Sequence, residues 1–170
     1  MAFAMTDAIR LLLFPAAMAF AASSDLLTMT ISNRVSVILV AGFLLMAGIT
    51  GMSMGDVLSH FGAAAIMLTI TFTFFARGWI GGGDAKLAAA TALWFGFDYL
   101  FDYALYASLF GGVLTFMLIR FRFMPLPKAL EHQEWLVRLH SMNSGIPYGI
   151  ALAASALMVY PHTPWMKIFG

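Results

Sequence analysis

The chain has 170 residues, of which 62% are hydrophobic and 10% charged, and its net charge is +1. Soluble domains carry about 25% charged residues, so this composition belongs to a membrane protein, and no basic tract supports a nucleic-acid partner. Cysteine is absent, which excludes disulfides, a thiol nucleophile and cysteine-based zinc or iron–sulfur sites.

The four histidines, His60, His132, His140 and His162, are scattered and form no HExxH-like pair. No metal and no cofactor is therefore expected.

A membrane helix needs about 20 apolar residues. The N-terminal stretch "MAFAMTDAIRLLLFPAAMAFAASSD" imitates a signal peptide, but Asp7 precedes Arg10 and the rest of the chain is equally apolar. It reads as a first membrane helix over 4–22. A polar segment, "SSDLLTMTISNR", follows. A second helix is predicted over 35–52, closed by the turn "GMSMGD", and a third over 57–75, followed by "ARGWIGGGDAK". The apolar stretch 87–121 is too long for one span, and "FGFDYLFDY" divides it at Gly96, Asp98 and Asp102 into a short fourth helix and a fifth over 99–119. A hydrophilic segment, 120–145, precedes a sixth helix that opens "IPYGIALAASAL". With no repeats and no low-complexity linker, the expectation is one all-α domain over 1–170, a polytopic bundle of six transmembrane helices in the lipid bilayer.

Charge sets the expected orientation. Arg34, Arg77, Lys86, Arg120, Arg122, Lys128 and Arg138 fall on one side of this arrangement, and only Arg10 and Lys167 on the other. By the positive-inside rule both chain ends lie outside, and 120–145 is a cytoplasmic loop.

Ionisable groups at membrane depth are functional candidates. Glu131 and Glu134 belong to a solvated loop face, and Asp56 reads as a helix cap after a glycine turn. Asp98 and Asp102 sit at the outer break between helices. Asp25 and Asp84 each follow an odd-numbered helix, which places both at the cytoplasmic boundary. Two facing carboxylates in a partly dry site do not both ionise readily, so one acts as acid and the other as base. Such a pair activates a water against an amide carbonyl with no covalent intermediate.

Gly81, Gly82 and Gly83 before Asp84 leave a bare backbone along which an extended substrate strand fits. By itself, "GGGD" favours a flexible turn with Asp84 as a helix N-cap and Lys86 as an interfacial anchor.

The combination is more specific. "GGGDAK" carries a Gly-x-Gly-Asp pattern in Gly81, Gly83 and Asp84. "DLLTMTISNRVS" places Asp25 eight residues before Asn33, and "IPYGIALAASAL" opens the last helix. Together these resemble the type IV prepilin peptidases, closest to the short single-domain form of Flp-type, tight-adherence pilus systems. The resemblance implies a polytopic aspartic protease (a hydrolase) of the bacterial inner membrane, serving pilus biogenesis. Its partner would be a prepilin or pseudopilin with a basic leader and a hydrophobic helix, cut at the cytoplasmic face.

It also implies that Asp25 and Asp84 are the catalytic pair, with Gly81, Gly83, Lys86 and Asn33 as motif residues near the substrate. Pro147, Tyr148 and Gly149 carry structural roles: a proline for the first helical turn and a glycine for close helix packing. The family often has Ile-Pro-Asn where this chain has Ile31-Ser32-Asn33. Its larger relatives also methylate the new N-terminus and carry a four-cysteine zinc domain, so N-methyltransferase activity is doubtful here. The competing readings are a Gly-x-Gly-Asp protease for a different membrane or preflagellin-like substrate, and a small ion-coupled transporter with a midplane carboxylate site.

Overall fold

A computed structural model describes residues 9–167; the predicted start of the first helix and Asp7 lie outside the described residues. The described residues form helices joined by turns and loops and contain no strand. A π-helical turn, Ile9–Leu13, leads into α1 (Phe14–Thr28); α2 (Asn33–Thr50) and α3 (Met54–Ala76) follow. The longest helix, α4 (Gly82–Arg122), precedes a short α5 (Glu134–His140), then α6 (Tyr148–Val159) and α7 (Pro164–Lys167).

Among the described residues, four helical stretches are long and apolar enough to cross a membrane: Leu11–Thr28, Asn33–Thr50, Met54–Ala76 and Gly82–Arg122. Large apolar side chains such as Phe72, Phe101, Phe116 and Met117 face outward. That pattern suits helices that are hydrophobic all round and meet lipid outside and protein inside.

Two helix boundaries differ from those read in the sequence, for local reasons. The first helix runs on through "SSDLLT", so Asp25 lies within its last turn rather than beyond it. Ser23 and Thr28 donate back to the carbonyls of Ala19 and Ser24 at 2.8 and 2.7 Å, and in this way polar side chains satisfy themselves inside a helix. The helix stops at Met29, whose left-handed backbone turns its N–H onto the Asp25 carbonyl. At the start of α3 the cap is Ser53, not Asp56. Ser53 Oγ accepts from the Asp56 N–H at 3.1 Å and donates its own hydrogen to Asp56 Oδ2 at 2.7 Å, so the acidic side chain holds the capping hydroxyl in place.

The long stretch divides where the sequence suggested. α4 has 41 residues, about 60 Å if straight and twice the hydrocarbon thickness. It breaks at Gly96, whose φ of 61° and ψ of −169° are accessible essentially only to glycine. The arms are 82–95 and 97–122. A break among apolar neighbours strands backbone carbonyls, which must find donors. His60 Nδ1 lies 2.7 Å from the Leu93 carbonyl, and Trp165 Nε1–H donates to the Trp94 carbonyl at 2.6 Å. Trp94 in turn donates to the Leu39 carbonyl at 2.8 Å. Around these bonds, Phe14, Phe43, Trp94, Tyr160 and Trp165 form the aromatic end of the core.

α4 is central: α3 packs along it, and α6 packs against both α4 and α1. With 12 residues, α6 is shorter than a full span. Its start faces the end of α1 and the start of α4, where the two aspartates lie. The loop before it is tied down by Arg122, which donates to the Leu139 and Gly145 carbonyls at 2.9 and 2.7 Å. Arg138 reaches the Leu27 carbonyl at the end of α1 at 3.0 Å.

Candidate active site

Asp25 and Asp84 are 4% and 6% exposed and are the only buried charged residues among those described. Asp56, Asp98, Asp102, Glu131 and Glu134 are all exposed. Each buried carboxylate is placed by a helix terminus. Asp84 is the third residue of α4, and its Oδ2 accepts the Gly81 N–H at 2.9 Å. Asp25 comes from the last turn of α1, yet its Oδ2 accepts the Gly149 N–H of α6 at 2.7 Å. The first N–H groups of a helix lack intrahelical partners and carry the positive end of its dipole, so both acids sit where a negative charge is favoured.

The two carboxylates approach the same amide. Asp25 lies within electrostatic reach of Asp84, and the Gly149 amide faces both carboxylates. Gly149 is essential to this approach: a Cβ there would lie 2.6 Å from Ile31 Cδ1 and 2.8 Å from Asp25 Oδ2.

The glycines before Asp84 do not adopt backbone angles closed to other residues. Gly81, the N-cap, has φ −76° and ψ 153°, ordinary extended backbone, and Gly82 and Gly83 are already helical. What they provide is room. A Cβ on Gly83 would come within 3.1 Å of Ile31 Cβ and 3.2 Å of its carbonyl, and one on Gly81 within 3.0 Å of Asp84 Oδ2. The segment after α1 therefore packs directly on the start of α4. Nearby, Lys86 Nζ donates to Asn33 Oδ1 at 2.9 Å, joining two motif residues at the surface.

A cleft of about 640 Å³ opens beside Asp84, walled by Met67, Ile70, Phe74, Phe116 and Leu152. Asp84 Oδ1 is buried at its margin and has no hydrogen-bond partner among the described residues. One oxygen of Asp84 thus caps its helix while the other stays uncommitted, so the capping reading and the chemical reading of "GGGD" coexist.

Pro147 is the N-cap of α6, one position before its first turn. Tyr148 lines the cleft, its hydroxyl 3.3 Å from Thr115 Oγ1. Gly149 was expected only to ease packing. The sequence signal for its role as a donor is the helix start in "IPYG", where free N–H groups are guaranteed. No sequence signal pointed to Ile31 or Tyr103 as neighbours of the site.

A family model described as the type IV leader peptidase family matches residues 12–116. The chain belongs to the type IV leader peptidase family. Asp25, Asn33 and the whole Gly81 to Lys86 motif lie inside the matched residues, whereas Pro147, Tyr148 and Gly149 lie beyond them. No curated protein and no solved structure matches the chain. This leader peptidase is thus a membrane protein in which Asp84 and Tyr148 line one cleft and Gly149 ties Asp25 to the same end of the bundle.

Proposed function

We propose that this leader peptidase is an aspartic endopeptidase of the Gly-x-Gly-Asp type, in which Asp25 and Asp84 are the catalytic residues. The observation that carries the reading is the pair of buried carboxylates within electrostatic reach of one another, with Asp84 at the margin of an apolar cleft and its Oδ1 uncommitted. In the working state one aspartate is ionised and the other holds a proton. The ionised carboxylate takes a proton from a water as its oxygen attacks the scissile carbonyl carbon. The protonated aspartate gives its proton to the carbonyl oxygen, forming a tetrahedral diol. As that diol collapses, one of its hydroxyls returns a proton to the pair, the carbon–nitrogen bond breaks and the leaving amine receives a proton from the pair. No covalent enzyme intermediate forms, and the aspartates end with the proton they began with.

The substrates are Flp-type prepilins and pseudopilins, cut behind a basic leader at the cytoplasmic face of a bacterial inner membrane. Three features support this. The cleft walls are apolar and suit a hydrophobic helix. The positive residues gather at the helix ends that carry the aspartates and in the segment after α4, which fits an N-out, C-out bundle. The motif order matches the short single-domain peptidases.

The test is co-expression with a Flp-type prepilin from the same genome, followed by N-terminal sequencing of the product. Asp25→Asn and Asp84→Asn should each abolish leader removal, a loss of roughly a thousandfold or more given what acid–base groups contribute. Both variants should still purify as folded protein. Normal processing by either variant would overturn the proposal.

A further inference from the structure

Tyr103, in the 97–122 arm of α4, is 0% exposed. Its ring packs edge-on against Phe95 with centroids 5.3 Å apart, and it borders the same cleft as Asp84. Its hydroxyl makes no hydrogen bond of ordinary geometry. Thr91 faces it; the Thr91 hydroxyl gives its hydrogen to the Leu87 carbonyl at 2.9 Å and so does not donate to Tyr103.

Among the described residues only two buried side-chain polar atoms lack a partner, Asp84 Oδ1 and Tyr103 Oη. They belong to one cleft and lie within electrostatic reach of one another. Phenylalanine would fill the same space without a hydroxyl to satisfy, so packing of the ring does not call for the oxygen. Both atoms are closed to water in this state. A substrate that enters between α3 and the 97–122 arm must widen the cleft and admit partners to both. Hydrogen bonds of this kind often tighten only in the substrate complex.

We infer that Tyr103 is a positioning residue for Asp84 in the substrate-loaded state, its hydroxyl donating towards Oδ1 either directly or through one water. It orients the uncommitted oxygen on the reacting carbonyl and takes no part in bond making itself. The inference rests on the catalytic pair of Asp25 and Asp84 proposed above.

The experiment compares wild type, Tyr103→Phe, Asp25→Asn and Asp84→Asn, purified in detergent and acting on a Flp-type prepilin in mixed micelles. For Tyr103→Phe, kcat should fall about tenfold or more, the scale of one hydrogen bond to a charged group. KM and the thermal unfolding midpoint should stay at wild-type values. A kcat within twofold of wild type overturns the inference. So does a rise in KM alone, which would make the hydroxyl a substrate contact, and so does a drop in the unfolding midpoint, which would give it a resting structural partner. Cleavage by either aspartate variant would bring down the catalytic pair itself, an outcome read independently of Tyr103.

Discussion

Burying a carboxylate among apolar helices costs several kcal/mol unless donors replace the lost water. Asp25 and Asp84 each recover one strong donor from a helix start, the Gly149 and Gly81 amides. The Gly149 contact is the more sensitive, because the glycine touches the carboxylate itself. Gly149→Ala should push Asp25 and Ile31 apart, lowering stability by about 1–3 kcal/mol, the usual cost of overpacking. Leader cleavage should fall with it, and thermal unfolding in detergent beside a processing assay checks both. Lys86 and Asn33 contrast with this, since their bond is exposed. Lys86→Ala should change stability by less than about 1 kcal/mol, as expected for a solvated contact, and the same unfolding assay checks it. These differences could not be read from letters: Gly83 and Gly149 look alike in sequence, and only their neighbours separate room for a loop from contact with a carboxylate.

At the scale of elements, the division of the long apolar stretch was legible because no single span can hold that many residues. "FGFDY" supplied the break, and the structure puts it at Gly96. What the letters could not show is how the broken helix keeps its carbonyls paired, because His60 and Trp165 arrive from α3 and α7. Gly96→Ala forces a side chain into a glycine-only conformation, with His60 ring atoms 3.0 Å from the new Cβ. It should cost about 1–3 kcal/mol in unfolding measurements. Ser53→Ala removes the cap of α3 and should cost about 1 kcal/mol by the same measurement. The first helix was read too short for a related reason: Ser23, Ser24 and Thr28 look like a polar loop, yet they bond back to the chain or to Thr30.

For the whole molecule, the absence of cysteine makes topology directly measurable. Single cysteines at Trp79, 57% exposed near the aspartates, and at Met54, 72% exposed at the far end of α3, should behave oppositely in intact cells. An impermeant thiol reagent added outside should label Met54→Cys and spare Trp79→Cys, as an N-out arrangement requires. Labelling of Trp79→Cys from outside would reverse the orientation.

By itself the sequence determined the membrane class, the all-helical fold and the two aspartates as candidates. Apolar composition, span length and rare charges in apolar surroundings are properties of the local chain. Only the tertiary structure decided that Asp25 belongs to a helix and that its carboxylate is received by the Gly149 amide of α6. Only there do the unpaired atoms of Asp84 and Tyr103 share one cleft. Those relations join residues far apart in the chain, and they arise when α6 packs across the end of α1 and the start of α4, a contact that no local pattern encodes.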